Sequence, residues 1–134
     1  KTKMKVFLMV LFVSLFIKLN SQTILNTDTI GSTSTKEVYV FPIASDSLSS
    51  SFCIVINTEV KPHKHLHHSE QVIVLDGVGE MKINNKTYFI KKGNVVFIPK
   101  GTTHSVIRKE KKPLKVISVQ APFFNGKDRV LITE

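Results

Sequence analysis

The chain has 134 residues, enough for one domain of ordinary size and too few for a two-domain enzyme. Of its formal net charge of +9, four lysines fall within the first 21 residues, where there is no acid. The remaining body is mildly and evenly basic, which excludes a basic stripe interleaved with aromatics and, with it, a nucleic-acid partner. From Gln22 onward there are 25 Val plus Ile, six Leu and two Ala, so β-branched residues dominate and good helix formers are scarce. The composition is all-β.

In chain order, the first segment carries Lys1, Lys3 and Lys5 ahead of Val6 to Ile17, a run in which only Ser14 is polar, and then turns polar at Lys18. That order predicts a secretory signal over residues 1–21 and a secreted or periplasmic protein that meets a membrane only during export. An uncleaved anchor is the alternative, because Leu19 stands where a small residue is expected. Residues 22–36 are rich in Thr, Ser, Asn and Asp and read as a flexible linker. The folded domain is expected over residues 37–134. The single cysteine, Cys53, sits in the apolar run Phe52 to Ile56 and reads as a small buried hydrophobe.

Short apolar runs then alternate with turn chemistry: Val38 to Phe41, Phe52 to Ile56, Gln71 to Leu75, Glu80 to Ile83, Thr87 to Ile90, Val95 to Ile98, His104 to Arg108 and Leu114 to Gln120. Their spacing is that of a β-sandwich or barrel. Asn84-Asn85 between two alternating runs predicts a two-residue hairpin within Met81 to Ile90, since Asn tolerates the positive φ such a turn requires.

All five histidines lie in two places, His63, His65, His67 and His68 in one cluster and His104 alone. On a strand, His63 and His65 point the same way. Glu70 lies at an odd offset from His65 and joins them only if Leu66-His67-His68-Ser69 makes a turn or bulge. His104 would complete a set of imidazoles and one carboxylate, which suits one divalent transition metal: Fe, Mn, Ni, Cu or Zn. His67 in place of His63 is an open alternative, and an exposed histidine-rich tract is the plainer one.

The spacing His63-x-His65-x4-Glu70-x6-Gly77, followed by Gly93-x5-Pro99-x-Gly101-x2-His104, resembles both signature motifs of the cupin family. Asn57 stands where the first motif usually opens with glycine, and Arg108 where the second usually ends in asparagine. The resemblance implies a double-stranded β-helix, a jelly-roll barrel, with the metal inside on His63, His65, Glu70 and His104. Arg108, four residues after His104, shares its face in a regular strand and is the candidate contact to a substrate anion; the start of a solvated turn is the alternative. Lys64 should face away from the metal, and Asp128-Arg129 reads as an ion pair or surface feature.

No catalytic residue beyond the ligands stands out. The resemblance implies either a mononuclear-metal oxygenase or isomerase acting on a small metabolite or, from a different class, a non-catalytic module that binds a sugar or carboxylate. The expected partner is a small-molecule ligand or substrate, with a second copy of the chain, as a homodimer, also open.

Overall fold

The structure is a computed structural model that describes residues 24–132. The expected signal, residues 1–21, lies outside the described residues. The rest is built of strands: β1 (Val38–Ser45), β2 (Ser50–Ile56), β3 (Glu59–Lys64), β4 (Ser69–Asp76), β5 (Val78–Ile83), β6 (Lys86–Lys91), β7 (Val95–Ile98), β8 (His104–Arg108), β9 (Leu114–Ala121) and β10 (Val130–Leu131). They form two antiparallel five-stranded sheets in the orders β1-β2-β9-β4-β7 and β10-β3-β8-β5-β6. This is the jelly-roll arrangement that the sequence led us to expect, with the connections crossing between sheets.

The hairpin expected over Met81 to Ile90 is present, with Ile83 paired to Lys86 across Asn84-Asn85 and Asn84 at φ 50°. Residues that alternate inward along the strands meet between the sheets. Ile56, Val72, Val74, Met81, Ile90, Ile98, Val106, Leu114 and Val116 form the core cluster. Burial of each such side chain contributes roughly 1.5–3 kcal/mol, which must hold the barrel together without a disulfide, since Cys53 is free.

Polarity along the inner face is graded. On β9 the inward residues run Leu114, Val116, Ser118, Gln120, all buried. On the antiparallel neighbour β4 they run Val74, Val72, Glu70, in register with Val116, Ser118 and Gln120. On β8 they run Val106, His104. One end of the barrel is therefore apolar and the other polar, and the histidines lie at the polar end.

Two segments differ from expectation. Residues 24–36 do not behave as a free linker. Consecutive turns over 27–33 bury Ile30, 8% exposed, and set Gly31 against Val55 of β2 and Tyr39 of β1, on the side of β2 where Cys53 is buried. Lys115 Nζ donates to the Thr27 and Asp28 carbonyls at 2.8 and 3.2 Å, and Asn57 Nδ2 donates to those of Ser34 and Lys36 at 3.1 and 2.7 Å. The apolar residues available, few as they are, suffice because the sheet supplies the other half of the contact. Cys53 is fully buried there, as expected of a small hydrophobe, and burial pushes its thiol up. The second difference is β3 itself, with β10 pairing to it through Val130↔Lys64 and Leu131↔His63.

Candidate metal site

His63 lies on β3 and pairs directly with His104 on β8, so their rings meet at 4.2 Å between centroids. His65 follows the end of β3, and the turn at Leu66 to His68 then brings Glu70, the second residue of β4, back to the same face. This is the interruption that the odd offset required. One ligand-type atom from each of His63, His65, Glu70 and His104 lies within 4.8 Å of all the others, and the four residues are 3–6% exposed. His67 is exposed and is not part of the cluster, so the alternative His65-His67 pair is not formed. Lys64 faces away from the group, as the alternation required.

Each imidazole is oriented from behind. Nδ1 of His63 donates to the Lys61 carbonyl at 2.8 Å and Nδ1 of His104 to the Thr102 carbonyl at 3.0 Å. Nδ1 of His65 donates to the Asp128 carbonyl. With Nδ1 holding the proton, the lone pair of each neutral ring is on Nε2, and a partner of this kind is what fixes ring and tautomer in a ligating histidine. The His65 carbonyl in turn accepts from Gly101 N at 2.6 Å, tying the Pro99 to Gly101 turn to the first histidine pair.

Glu70 stands between them. Its Oε1 accepts from Ser118 Oγ at 2.5 Å, and its Oε2 lies 3.1 Å from His104 Nε2 and 3.5 Å from His65 Nε2. His65 Nε2 is buried and has no hydrogen-bond partner among the described residues. Lone pairs on nitrogen and on a carboxylate cannot face one another without a cation between them. A proton serves one pair; four converging donors, three of them imidazole, fit a divalent transition metal. The donor chemistry and the orphaned nitrogen therefore both fit such an ion.

The electrostatics agree. Burial, aided by the neighbouring His104, holds the His63 imidazole down to about 4. At His65 burial acts downward too, but Glu70 and the Asp128 carbonyl outweigh it and raise the pKa. At Glu70 burial acts upward and is outweighed by His104, His65 and Ser118, which hold the carboxyl well below the usual range.

Beside the cluster a cavity of about 390 Å³ runs into the apolar end of the barrel, past Val72, Val106 and Leu114. Arg108, the candidate anion contact, does not line it. Its Nη1 donates instead to the Lys111 carbonyl at 2.6 Å, because the following turn places an acceptor within its reach. Asp128 and Arg129 divide between the two readings of the sequence, Asp128 pairing with His68 and Arg129 lying exposed at the cavity edge. The Asp128 carboxylate accepts from the Leu66 and His67 amides at 2.9 and 2.8 Å and pairs with His68 Nδ1 at 2.6 Å, while Arg129 lines the cavity. His68 is buried in that clasp and reaches the Phe123 carbonyl at 2.9 Å. Ser118 and Gln120 went unremarked in the sequence, although their even spacing from Leu114 and Val116 marks both as inward-facing polar residues.

A family described as "Cupin domain" matches residues 51–120. An uncharacterised protein of Aquifex aeolicus is 30% identical over 99 residues, 74% of this chain and 81% of that protein. A mannose-1-phosphate guanylyltransferase of Klebsiella pneumoniae is 30% identical over 67 residues, 50% of this chain but 14% of the enzyme. Among solved structures, a Klebsiella pneumoniae protein of unknown role with a double-stranded β-helix domain superposes with a TM-score of 0.73 at 20% identity, covering 85% of this chain and all of its own. That likeness carries the fold alone.

Proposed function

The chain belongs to the cupin family, and from that premise we propose that it holds one divalent transition metal on His63, His65, Glu70 and His104 and uses it to bind and activate a small molecule in the barrel, as an oxygenase or isomerase does. The observation that carries this reading is the common anchoring of the three imidazoles, each held through Nδ1 to a backbone carbonyl, with Nε2 of His65 and His104 turned toward Glu70 and a ring nitrogen of His63 within 4.8 Å of the other ligand-type atoms. Glu70 supplies the negative charge, and Ser118 holds one of its oxygens so that the other faces the histidines. A metal held there would supply Lewis-acid polarisation of a ligand oxygen. The apolar walls beyond it exclude water and strengthen any polar contact made at the cluster.

The test is elemental analysis of tag-free, chelator-washed protein. About one transition metal per chain is expected, lost in His65→Ala and in His104→Ala and retained in His68→Ala, whose ring is held by Asp128 outside the cluster. A metal-free parent, or equal loss in all three variants, would overturn the assignment. A non-catalytic binding module is the second reading, favoured by the lack of a further titratable side chain among the buried residues of the cavity wall. Export belongs to the proposal as well: the mature chain should begin near Gln22 when recovered from its own cell, and an intact Lys1 in a cytoplasmic fraction would refute it.

A further inference from the structure

Gln120 lines the cavity and has no part in the metal cluster. It pairs with Glu70 across β9 and β4, so its side chain stands beside that carboxylate on the inner face. It is 6% exposed, and its Oε1 accepts no hydrogen bond among the described residues. A buried carbonyl oxygen without a donor is rare in folded proteins and asks what supplies one. An acceptor in this place is satisfied by a ligand hydroxyl.

The other sheet borders the cavity with a cation. Arg129 lines the cavity next to the short strand that pairs with His63. It makes no ion pair among the described residues. Glu37, Glu59 and Lys61 also border the cavity, all three exposed, so the mouth is mixed in sign. Glu37 and Glu59 stand at the end of β3 away from His63, whereas Arg129, itself exposed, adjoins the β10 residues paired with Lys64 and His63. Deeper in, Ile56, Val106 and Leu114 offer nothing polar. A ligand that satisfies each part of this lining has an anionic group, a hydroxyl and an apolar body.

Resting on the metal-site reading for where the polar end lies, we propose that the cavity takes a small hydroxy acid. Its carboxylate faces Arg129, its hydroxyl donates to Gln120 Oε1, and its carbon chain lies among Ile56, Val106 and Leu114. Arg129 and Gln120 each read one group of the ligand, so each is separable by substitution.

The experiment compares 2-hydroxyhexanoate, hexanoate and 1,2-hexanediol by calorimetric titration and thermal shift, on metal-loaded and on chelator-stripped protein, with the metal content of each sample measured. The hydroxy acid should bind the parent about tenfold tighter than either analogue that lacks one group. Gln120→Met should abolish the preference over hexanoate and keep that over the diol; Arg129→Gln should do the reverse. Equal binding of all three compounds, or preferences that survive both substitutions, would overturn the inference. Failure of the metal reading shows separately as a parent that takes up no ion. In that case the two preferences are read in the stripped protein, where their presence supports the subsite and their absence overturns it.

Discussion

His63 shows how one residue couples the site to the stability of the fold. Its ring is buried beside His104, and burial holds its pKa down to about 4, against 6.5 when unfolded. A depressed pKa means that the unfolded state binds the proton first, so the stability that neutral His63 contributes is fully present above pH 6.5 and is lost as pH falls toward 4. Glu70 acts lower: its carboxylate is held below the ordinary range, so its contribution is lost only once pH drops beneath about 4.5. His65 has the opposite sign, its raised pKa giving stability that is present below 6.5 and lost as pH rises. The window from pH 6.5 to 4.5 therefore isolates His63 among the three. Metal-free protein should lose stability on the order of 2 kcal/mol across it, and His63→Asn should remove most of that slope. Urea unfolding at a series of pH values measures both; a slope unchanged in the variant would show that His63 is not held neutral.

Residue chemistry was the part of the site most readable from sequence, because His63, His65, Glu70 and His104 carry ligand-type side chains at a fixed motif spacing. Arg108 lies where its turn alternative put it for a physical reason: period-two alternation places it on the inner side of β8, but a long side chain at a strand end goes to the nearest acceptor, here the Lys111 carbonyl. Asp128 could not be assigned, since its four partners lie about 60 residues earlier and only the fold brings them together.

Elements repeat that division. β9, whose burial alternates residue by residue, and the β5–β6 hairpin were legible because their apolar runs are bounded by local turn signals. β3 was not, since Glu59, Lys61, Pro62 and Lys64 break the alternation and its pairing with β8 shifts register between Val60 and His63. β10 has two residues and exists only through β3. Turns can be separated by what surrounds them. Gly77, between β4 and β5, has φ +82°, and a Cβ there would meet the Pro113 carbonyl oxygen at 2.5 Å and Leu114 Cα at 2.8 Å. Both are backbone atoms and cannot swing aside. Gly93 has a similar φ of +89° with open space around it. Gly93→Ala should therefore cost only the conformational term, about 1–2 kcal/mol, and Gly77→Ala at least about 3 kcal/mol, since overpacking adds to it. Denaturant midpoints of the two variants compare them directly. Equal losses would show that the β4–β5 turn does not pack against Pro113 and Leu114.

At the scale of the whole molecule there are two apolar layers with different duties. The inner one fills the barrel behind the histidines, and its graded polarity along β4, β8 and β9 makes a site at one end and a core at the other. The outer one is thin: Gly31 lies over Val55 and Tyr39 next to the buried Ile30, on the opposite side of β2 from the cavity-lining Phe52, Ile54 and Ile56. Because successive side chains of a strand face opposite ways, a change in the outer layer reaches the metal cluster only through the β2 backbone. Ile30→Ala should accordingly lower stability by roughly 2 kcal/mol, the low end for a buried Ile at the margin of a core, and leave the metal-to-protein ratio unaltered. Val116→Ala, in the inner layer two residues from Ser118, should lower stability by a comparable amount and also weaken metal retention under chelator challenge, since Ser118 holds Glu70. Thermal unfolding and metal release are measured on both variants. If Ile30→Ala changes nothing, residues 24–36 are the free linker that their composition suggested; if it releases the metal as readily as Val116→Ala does, the two layers act as one core and the separation argued from strand alternation is wrong.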